Sequence, residues 1–310
     1  MGASPIVFLQ LLVRLDADPR LGKQGGCAMQ HMSWTEIGVV RAMHGRIAHD
    51  DELGMRYEDV PGRDCGITMP AGASVDGGDG CVAEGALATL LDTVSGIGAM
   101  AHMDFKESVA TLDLRIDYFA RPPLGVPLRA VSGVTHKAGA PGAGSLLVAA
   151  EAYGTDAPLA AARATGRFIR RPMPETEIEA GNYPSAPLRQ ARDYAALMAF
   201  RESVAGRIVL PFRPGLVGNS SLPSLHGGAV AAHLQECGNR YLAAQTEGAA
   251  PLKLVTAHFS FLRFGRSVDV VARPVPVRLG RGTATVEVDA FQDGSEDRPI
   301  ARGLLTFAAG

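Results

Sequence analysis

The chain has 310 residues, a hydrophobic fraction of 46% and a formal net charge of −2. That length suits two domains with real cores, and the near-neutral charge gives no general reason to expect a nucleic-acid partner. The four cysteines, Cys27, Cys65, Cys81 and Cys237, show neither CxxC spacing nor a secreted disulfide scaffold, so a reduced compartment and no structural metal are expected.

Residues 1–32 lack a clean hydrophobic period and contain Gly-Lys-Gln-Gly-Gly, which suits a mobile N-terminal tail. The apolar run Ile6–Val13 is too short to span a bilayer. It has no basic segment before it and no convincing cleavage site, so it makes a poor signal peptide. No membrane attachment is expected, and the reading is a soluble, cytoplasmic protein. Ser33 suits the cap of a helix over Trp34–Ile47, with Glu36 three positions on. Residues 54–70 predict two strands broken at Pro61-Gly62. A Gly-rich loop, Ala71–Gly80, then leads into an apolar helix from Gly85 to about Met103. Four strands follow near 108–119, 127–137, 145–154 and 159–170, with turns at Pro122-Pro123, Gly139–Gly144 and Asp156-Ala-Pro.

Proline-rich residues 170–187 suit an interdomain linker. The order then repeats: a helix at 188–204, a strand at 206–213, the loop Pro214–Leu225 and a helix from Gly227 to Gln245. Strands near 252–263, 268–279, 282–292 and 299–308 complete it. The expected domains are 33–169 and 188–310. A helix followed by an antiparallel meander, written twice, argues for α+β.

The two central helices carry the candidate chemistry. One opens after Gly80-Cys-Val-Ala83-Glu84-Gly85, and the other after Pro223-Ser-Leu-His226-Gly227-Gly228. Nine positions after the turn residue stand Asp92 in the first and Gln235 in the second. Asp92 is the only formal charge between Gly85 and Met103. A lone carboxylate in a helix apolar all round costs several kcal/mol to bury unless it is paired, which marks it as a functional candidate. The second helix is wetter. Its Glu236 stands four before Arg240, in the orientation of a surface ion pair. His49-Asp50-Asp51 reads as a helix C-terminal loop rather than a metal site. His258 and Ser260 share a strand face with Thr256.

A small-residue turn, a buried helix with a carboxylate nine residues on, and the Thr111 and Thr256 strands resemble the hotdog-fold acyl-CoA thioesterases of the PaaI-like type. The duplication resembles tandem, double-hotdog members. The resemblance covers roughly 45–171 and 190–309. It implies two hotdog domains, each a long central helix wrapped by an antiparallel sheet, paired as a pseudo-dimer. It also implies an acyl-CoA substrate, no cofactor, and a monomer of tandem hotdogs or a homodimer. Two unequal composite sites are implied. The first joins Asp92 as base or nucleophile, the backbone amides near Glu84 and Gly85 as oxyanion hole, and Thr256 from the other half. The second joins His226-Gly227-Gly228 and Thr111, with Gln235 and Glu236 where the acid should be, and is expected to be degenerate. Arg115, Arg121, Lys137, Arg263 and Arg266 are candidates for contacts to the coenzyme. Two alternatives are a non-catalytic acyl-CoA or small-ligand binding protein and a hotdog-class hydratase or dehydratase using His226.

Overall fold

The computed structural model describes residues 34–43, 45–155, 157–173, 187–203, 206–219, 224–245, 251–294 and 296–309. The tail expected over 1–32, the Ser33 cap and residues 174–186 of the expected linker lie outside them. The chain first forms α1 (Trp34–Met43) and the short α2 (Ala48–Glu52), where the sequence predicts one helix. Gly38 and Gly45 both take a φ of 69°, which interrupts the helical run. Next come β1 (Arg56–Glu58), β2 (Cys65–Met69), the central helix α3 (Glu84–Ala101), β3 (Glu107–Tyr118), β4 (Leu128–Ala138), β5 (Ser145–Gly154) and β6 (Ala162–Pro172).

The second half repeats this layout. It contains α4 (Tyr194–Met198), β7 (Arg201–Glu202), β8 (Ile208–Leu210), β9 (Val217–Asn219), β10 (Ser224–Leu225) and the central helix α5 (Gly227–Gln245). The meander β11 (Leu252–Phe261), β12 (Val270–Leu279), β13 (Thr283–Phe291) and β14 (Ala301–Ala309) closes it. Helix α4 is much shorter than the predicted 188–204. Asp193 caps it by accepting the Ala196 N–H at 2.7 Å, and Ala199 ends it in the left-handed region at φ 58°. The residues before the cap tie the halves together instead. The Arg189 N–H donates to the Glu52 carbonyl at 3.0 Å, and the Ala191 N–H donates to Ser74 Oγ at 3.0 Å.

Twelve of the strands form one antiparallel sheet in the order β1-β2-β4-β5-β6-β3-β11-β14-β13-β12-β8-β7, and β9 pairs with β10 apart from it. Read outward from the β3–β11 seam, the two sides have equivalent strand orders. At the seam Ile116 faces Ala257 and Leu114 faces Phe259. Each half is a hotdog, its antiparallel sheet packed around a central helix, and the two halves share one continuous sheet. The described residues form one compact unit. Among the described residues no helix is long and apolar enough to cross a membrane.

The alternation of the strands puts Leu114, Ile116, Phe259, Val286, Leu305 and Phe307 against the helices, all of them buried. Helix α3 is buried at every residue from Gly85 to Ser95, and α5 at every residue from Gly228 to Gln235. The two helices pack on each other in opposite chain order. A methyl group on Gly228 would stand 2.5 Å from the Thr89 Cα, and one on Gly85 would stand 2.9 Å from the Ala232 Cβ. The first of these contacts is with backbone and has no rotamer to yield. Gly228→Ala is therefore expected to force the helices apart and to cost about 1–3 kcal/mol or more. Urea unfolding should show it as a lowered midpoint. An unchanged midpoint would contradict this packing.

Candidate active site

Opposite chain order brings the third turn of α3 beside the first turn of α5. Asp92 thus meets the start of the other half's helix. It is buried, Thr111 Oγ1 donates to its Oδ1 at 3.1 Å, and its Oδ2 lies 3.7 Å from His226 Nδ1. A Cβ on Gly227 would sit 2.7 Å from that Oδ2, so glycine is what lets the carboxylate approach the helix start. Burial pushes the Asp92 carboxyl above its ordinary range. The neighbouring His226, the Thr111 hydroxyl and the Gly228 amide oppose the shift without cancelling it. The result is a carboxylate poised for proton transfer at the positive end of a helix dipole.

A second layer lies behind this pair. The Gly228 N–H donates to His226 Nδ1 at 3.0 Å. On the other side of the ring, Nε2 is 3.2 Å from Thr93 Oγ1. The Thr93 hydroxyl donates to Asp50 Oδ1 at 2.9 Å, and the Tyr57 hydroxyl donates to Asp50 Oδ2 at 2.7 Å. Burial raises the Asp50 carboxyl from 3.8 to about 6, against the pull of His226, Tyr57 and Thr93. His49 is also buried. Its ring lies 5.4 Å from that of His226, and its Nδ1–H donates to the Gly215 carbonyl at 3.2 Å. Burial above all holds His49 well below the ordinary histidine range, so it is neutral. The sequence suggests a helix C-terminal loop at His49-Asp50-Asp51, whereas the three lie within α2 and its first two side chains are buried.

Asp92, Thr111, His226 and Gly227 line a cavity of about 430 Å³. Ile47, Ile97, Met100, Phe168, Val230 and Phe261 give it an apolar wall. Arg171 and the exposed Leu262, Arg263 and Phe264 mark its open end. The Arg171 guanidinium stacks 4.3 Å from the Phe264 ring centroid. Of the arginines and lysine singled out from the sequence, only Arg263 lines this cavity. Arg115 and Arg121 are engaged with Asp117 and Asp79. Among the described residues no group of three or more His, Cys, Asp or Glu is arranged to hold a metal.

The structure groups the candidate residues differently from the sequence reading. Asp92 does not share a site with the Glu84 and Gly85 amides. Eight residues of helix separate Asp92 from Glu84, about 12 Å at 1.5 Å per residue, so a carboxylate cannot serve the start of its own helix. Asp92 and Thr111 join His226, Gly227 and Gly228 instead. Thr256 belongs to neither helix crossing, because its hydroxyl donates to Asp117 at 2.9 Å. The register gives the reason. Thr111, opposite Phe168, and Leu254, opposite Phe307, each precede a one-residue irregularity in their strands. Leu254, not Thr256, therefore stands where Thr111 stands. His258, on the Thr256 face, is exposed.

The other crossing is closed. Gln235 Nε2 hydrogen-bonds the Tyr118 hydroxyl, which donates to the Glu84 carbonyl at 3.5 Å. Tyr194 fills the space beside Gly85, and its hydroxyl is 3.3 Å from Thr89 Oγ1. Helices α2 and α4 occupy equivalent places. The Met55 N–H bonds to the Asp50 carbonyl as the Phe200 N–H bonds to the Ala195 carbonyl. By this match Tyr194 replaces His49 and Ala195 replaces Asp50. The Glu84 carboxyl lies 3.4 Å from Arg121 Nε. Glu236 pairs with Arg240 at 2.6 Å, as its spacing predicts.

Because the folded-state value of Asp50 is raised, ionising it destabilises the fold, and the penalty grows as pH rises from 3.8 to about 6. That shift corresponds to about 3 kcal/mol at neutral pH. Asp50→Asn keeps the shape without the charge. It is expected to be more stable than the parent at pH 7, with the gain shrinking toward pH 4. Thermal unfolding across that range checks the sign, and a loss of stability at pH 7 would contradict it.

Comparisons with known proteins agree with this architecture. Residues 219–308 match the family model described as acyl-CoA thioesterase N-terminal domain, and residues 79–140 match the thioesterase superfamily model. Each half thus matches a thioesterase model in its own right. No curated protein matches the chain in sequence. Solved structures share the fold. An acyl-ACP thioesterase from Bacteroides thetaiotaomicron is 11% identical with a TM-score of 0.52, covering 83% of this chain and 99% of its own. The tesB protein of Mycobacterium avium subs paratuberculosis is 10% identical with a TM-score of 0.56, covering 81% of this chain and 95% of its own.

Proposed function

We propose that the protein hydrolyses acyl-CoA thioesters at the single composite site between its two halves. The observation that carries this reading is one meeting of groups. A buried carboxylate from the first half and a helix N-terminus from the second share the wall of an apolar cavity. Thioester hydrolysis needs those two things, a group that activates water or attacks directly, and donors for the developing oxyanion.

In this reading the acyl chain lies along the apolar wall, with the thioester carbonyl oxygen at the start of α5, where Gly227 supplies the donor because the Gly228 amide is engaged by His226. Such amides have no partner within their own helix, and each donor of this kind is worth about 2.7–4 kcal/mol in the barrier. Asp92 serves as base or nucleophile. As base it takes a proton from water while the water oxygen bonds to the carbonyl carbon. The C–S bond then breaks, and the leaving thiolate takes that proton. Thr111 holds Oδ1 and leaves Oδ2 facing the reacting atoms. Arg171 and Arg263 at the open end suit a phosphate-bearing carrier, and the description of the 219–308 family match supports coenzyme A in that role. The second crossing, with Gln235, Leu254 and Tyr194, takes no substrate. The hydratase alternative is disfavoured because both His226 ring nitrogens are already engaged, by Gly228 and by Thr93.

A panel of acyl-CoAs with a thiol-detecting reagent tests the reading. Thiol release is expected from the parent protein. Asp92→Asn should lower it by about 10²–10⁴, and Thr111→Ala by less. Gln235→Ala and Glu236→Ala should change turnover little. Binding without release would make the protein a ligand-binding module, and hydration of an enoyl-CoA without release would make it a hydratase. Loss of activity in Gln235→Ala with Asp92→Asn still active would move the site to the other crossing.

A further inference from the structure

Beside the catalytic pair a chain of hydrogen-bonded groups leads from the cavity wall, at His226 and Thr93, to the buried Asp50 and the half-buried Tyr57. It runs from Tyr57 through Asp50 and Thr93 to His226. Its proton positions follow from its donors. The Thr93 hydroxyl has one proton, and the geometry directs it to Asp50 Oδ1 at 2.9 Å. Thr93 Oγ1 is then an acceptor toward His226 Nε2, 3.2 Å away. At the opposite ring nitrogen, the Gly228 N–H donates to Nδ1 at 3.0 Å, a contact within one turn that uses the Nδ1 lone pair and is given up when the proton moves there. Both ends of the ring therefore call for the same tautomer, with the proton on Nε2.

The consequence lies at Asp92. Its Oδ2 is 3.7 Å from His226 Nδ1. With the proton on Nδ1 the ring would direct an N–H at the carboxylate, stabilise its anion and weaken it as a base. The same proton would face the Gly228 N–H, donor against donor, and push the turn at Gly227-Gly228 out of place. We propose that Asp50 and Thr93 are positioning residues that hold the His226 proton on Nε2, which keeps Asp92 Oδ2 open to the reacting atoms and fixes the oxyanion-binding turn. This rests on the hydrolytic reading of the site for its effect on rate, but not for its effect on the ring. The other groups around Asp50 and His226 do not compete for this role. Tyr57 donates to the far oxygen of Asp50, and His49 donates to the Gly215 carbonyl. The second half, which has no acid at this place, also lacks the device, with Ala195 in place of Asp50 and Glu236 in place of Thr93.

The test reads the ring directly. Protein labelled with ¹⁵N at histidine gives a long-range ¹⁵N–¹H correlation spectrum in which the tautomer of each ring is visible, with His226→Gln assigning the signal. The parent should show His226 fixed with its proton on Nε2. Thr93→Val, which keeps shape and removes the hydroxyl, should release the ring into mixed tautomers. It should also lower kcat by up to about a hundredfold, as small misplacements at a reacting centre do, with KM little changed. Thr93→Ser should restore both. Asp50→Ala is a second variant with the expected behaviour of Thr93→Val. A ring that stays fixed in both Thr93→Val and Asp50→Ala, or a Thr93→Ser protein no better than Thr93→Val, would overturn the proposal. A ring that is released as expected in a protein that frees no thiol would uphold the positioning and reject the hydrolase reading.

Discussion

The close antiparallel crossing of the two central helices sets nearly everything else in this molecule. Gly228 against Thr89 and Gly85 against Ala232 let the helix axes approach closely. The crossing buries the N-terminal halves of both helices and leaves the twelve-stranded sheet to cover them from outside. It also fixes which residues can meet. A helix cannot bring its third turn to its own N-terminus, but two helices running in opposite directions each bring the third turn to the other's N-terminus. Any chemistry at such a crossing must take its acid from one half and its amides from the other.

That rule explains how the differences between the two copies are distributed. The first half has Asp92 and Thr111 but reads Ala83-Glu84-Gly85 at its helix start. The second half has His226-Gly227-Gly228 but Gln235 and Leu254 at the places of Asp92 and Thr111. Taken crossing by crossing, Asp92, Thr111 and His226-Gly227-Gly228 fall on one side, and Gln235, Leu254 and Ala83-Glu84-Gly85 on the other. The other side is not an empty pocket. Tyr194 fills it, and Tyr118 accepts from the Gln235 amide nitrogen. The Gln235 side-chain carbonyl is buried there without a hydrogen-bond partner, at a cost of about 1–3 kcal/mol.

The duplication, the α+β class, the two buried helices and most strands were legible in the sequence, because period and turn chemistry are local signals. Asp92 was legible for a similar reason, as a lone charge in an apolar helix. What failed was whatever depended on how the copies meet. The grouping of Asp92 with Glu84 and Gly85 ignored the length of a helix. Thr256 was matched to Thr111 by strand pattern, whereas the register aligns Leu254 with it. The helix expected over 188–204 shrank because its first residues hydrogen-bond to Glu52 and Ser74 of the other half. Asp50 passed for a loop residue because its partners, Tyr57, Thr93 and His226, come from three other segments. Period, propensity and spacing carry no information about such contacts.

On the proposed reading one crossing takes substrate, shared by both halves, and the other is filled. Isothermal titration with a non-hydrolysable acyl-CoA thioether measures this most directly, because it counts sites without relying on turnover. The account predicts one equivalent bound per chain. Two equivalents per chain of comparable affinity would mean that the Gln235 crossing opens to substrate, and would contradict it.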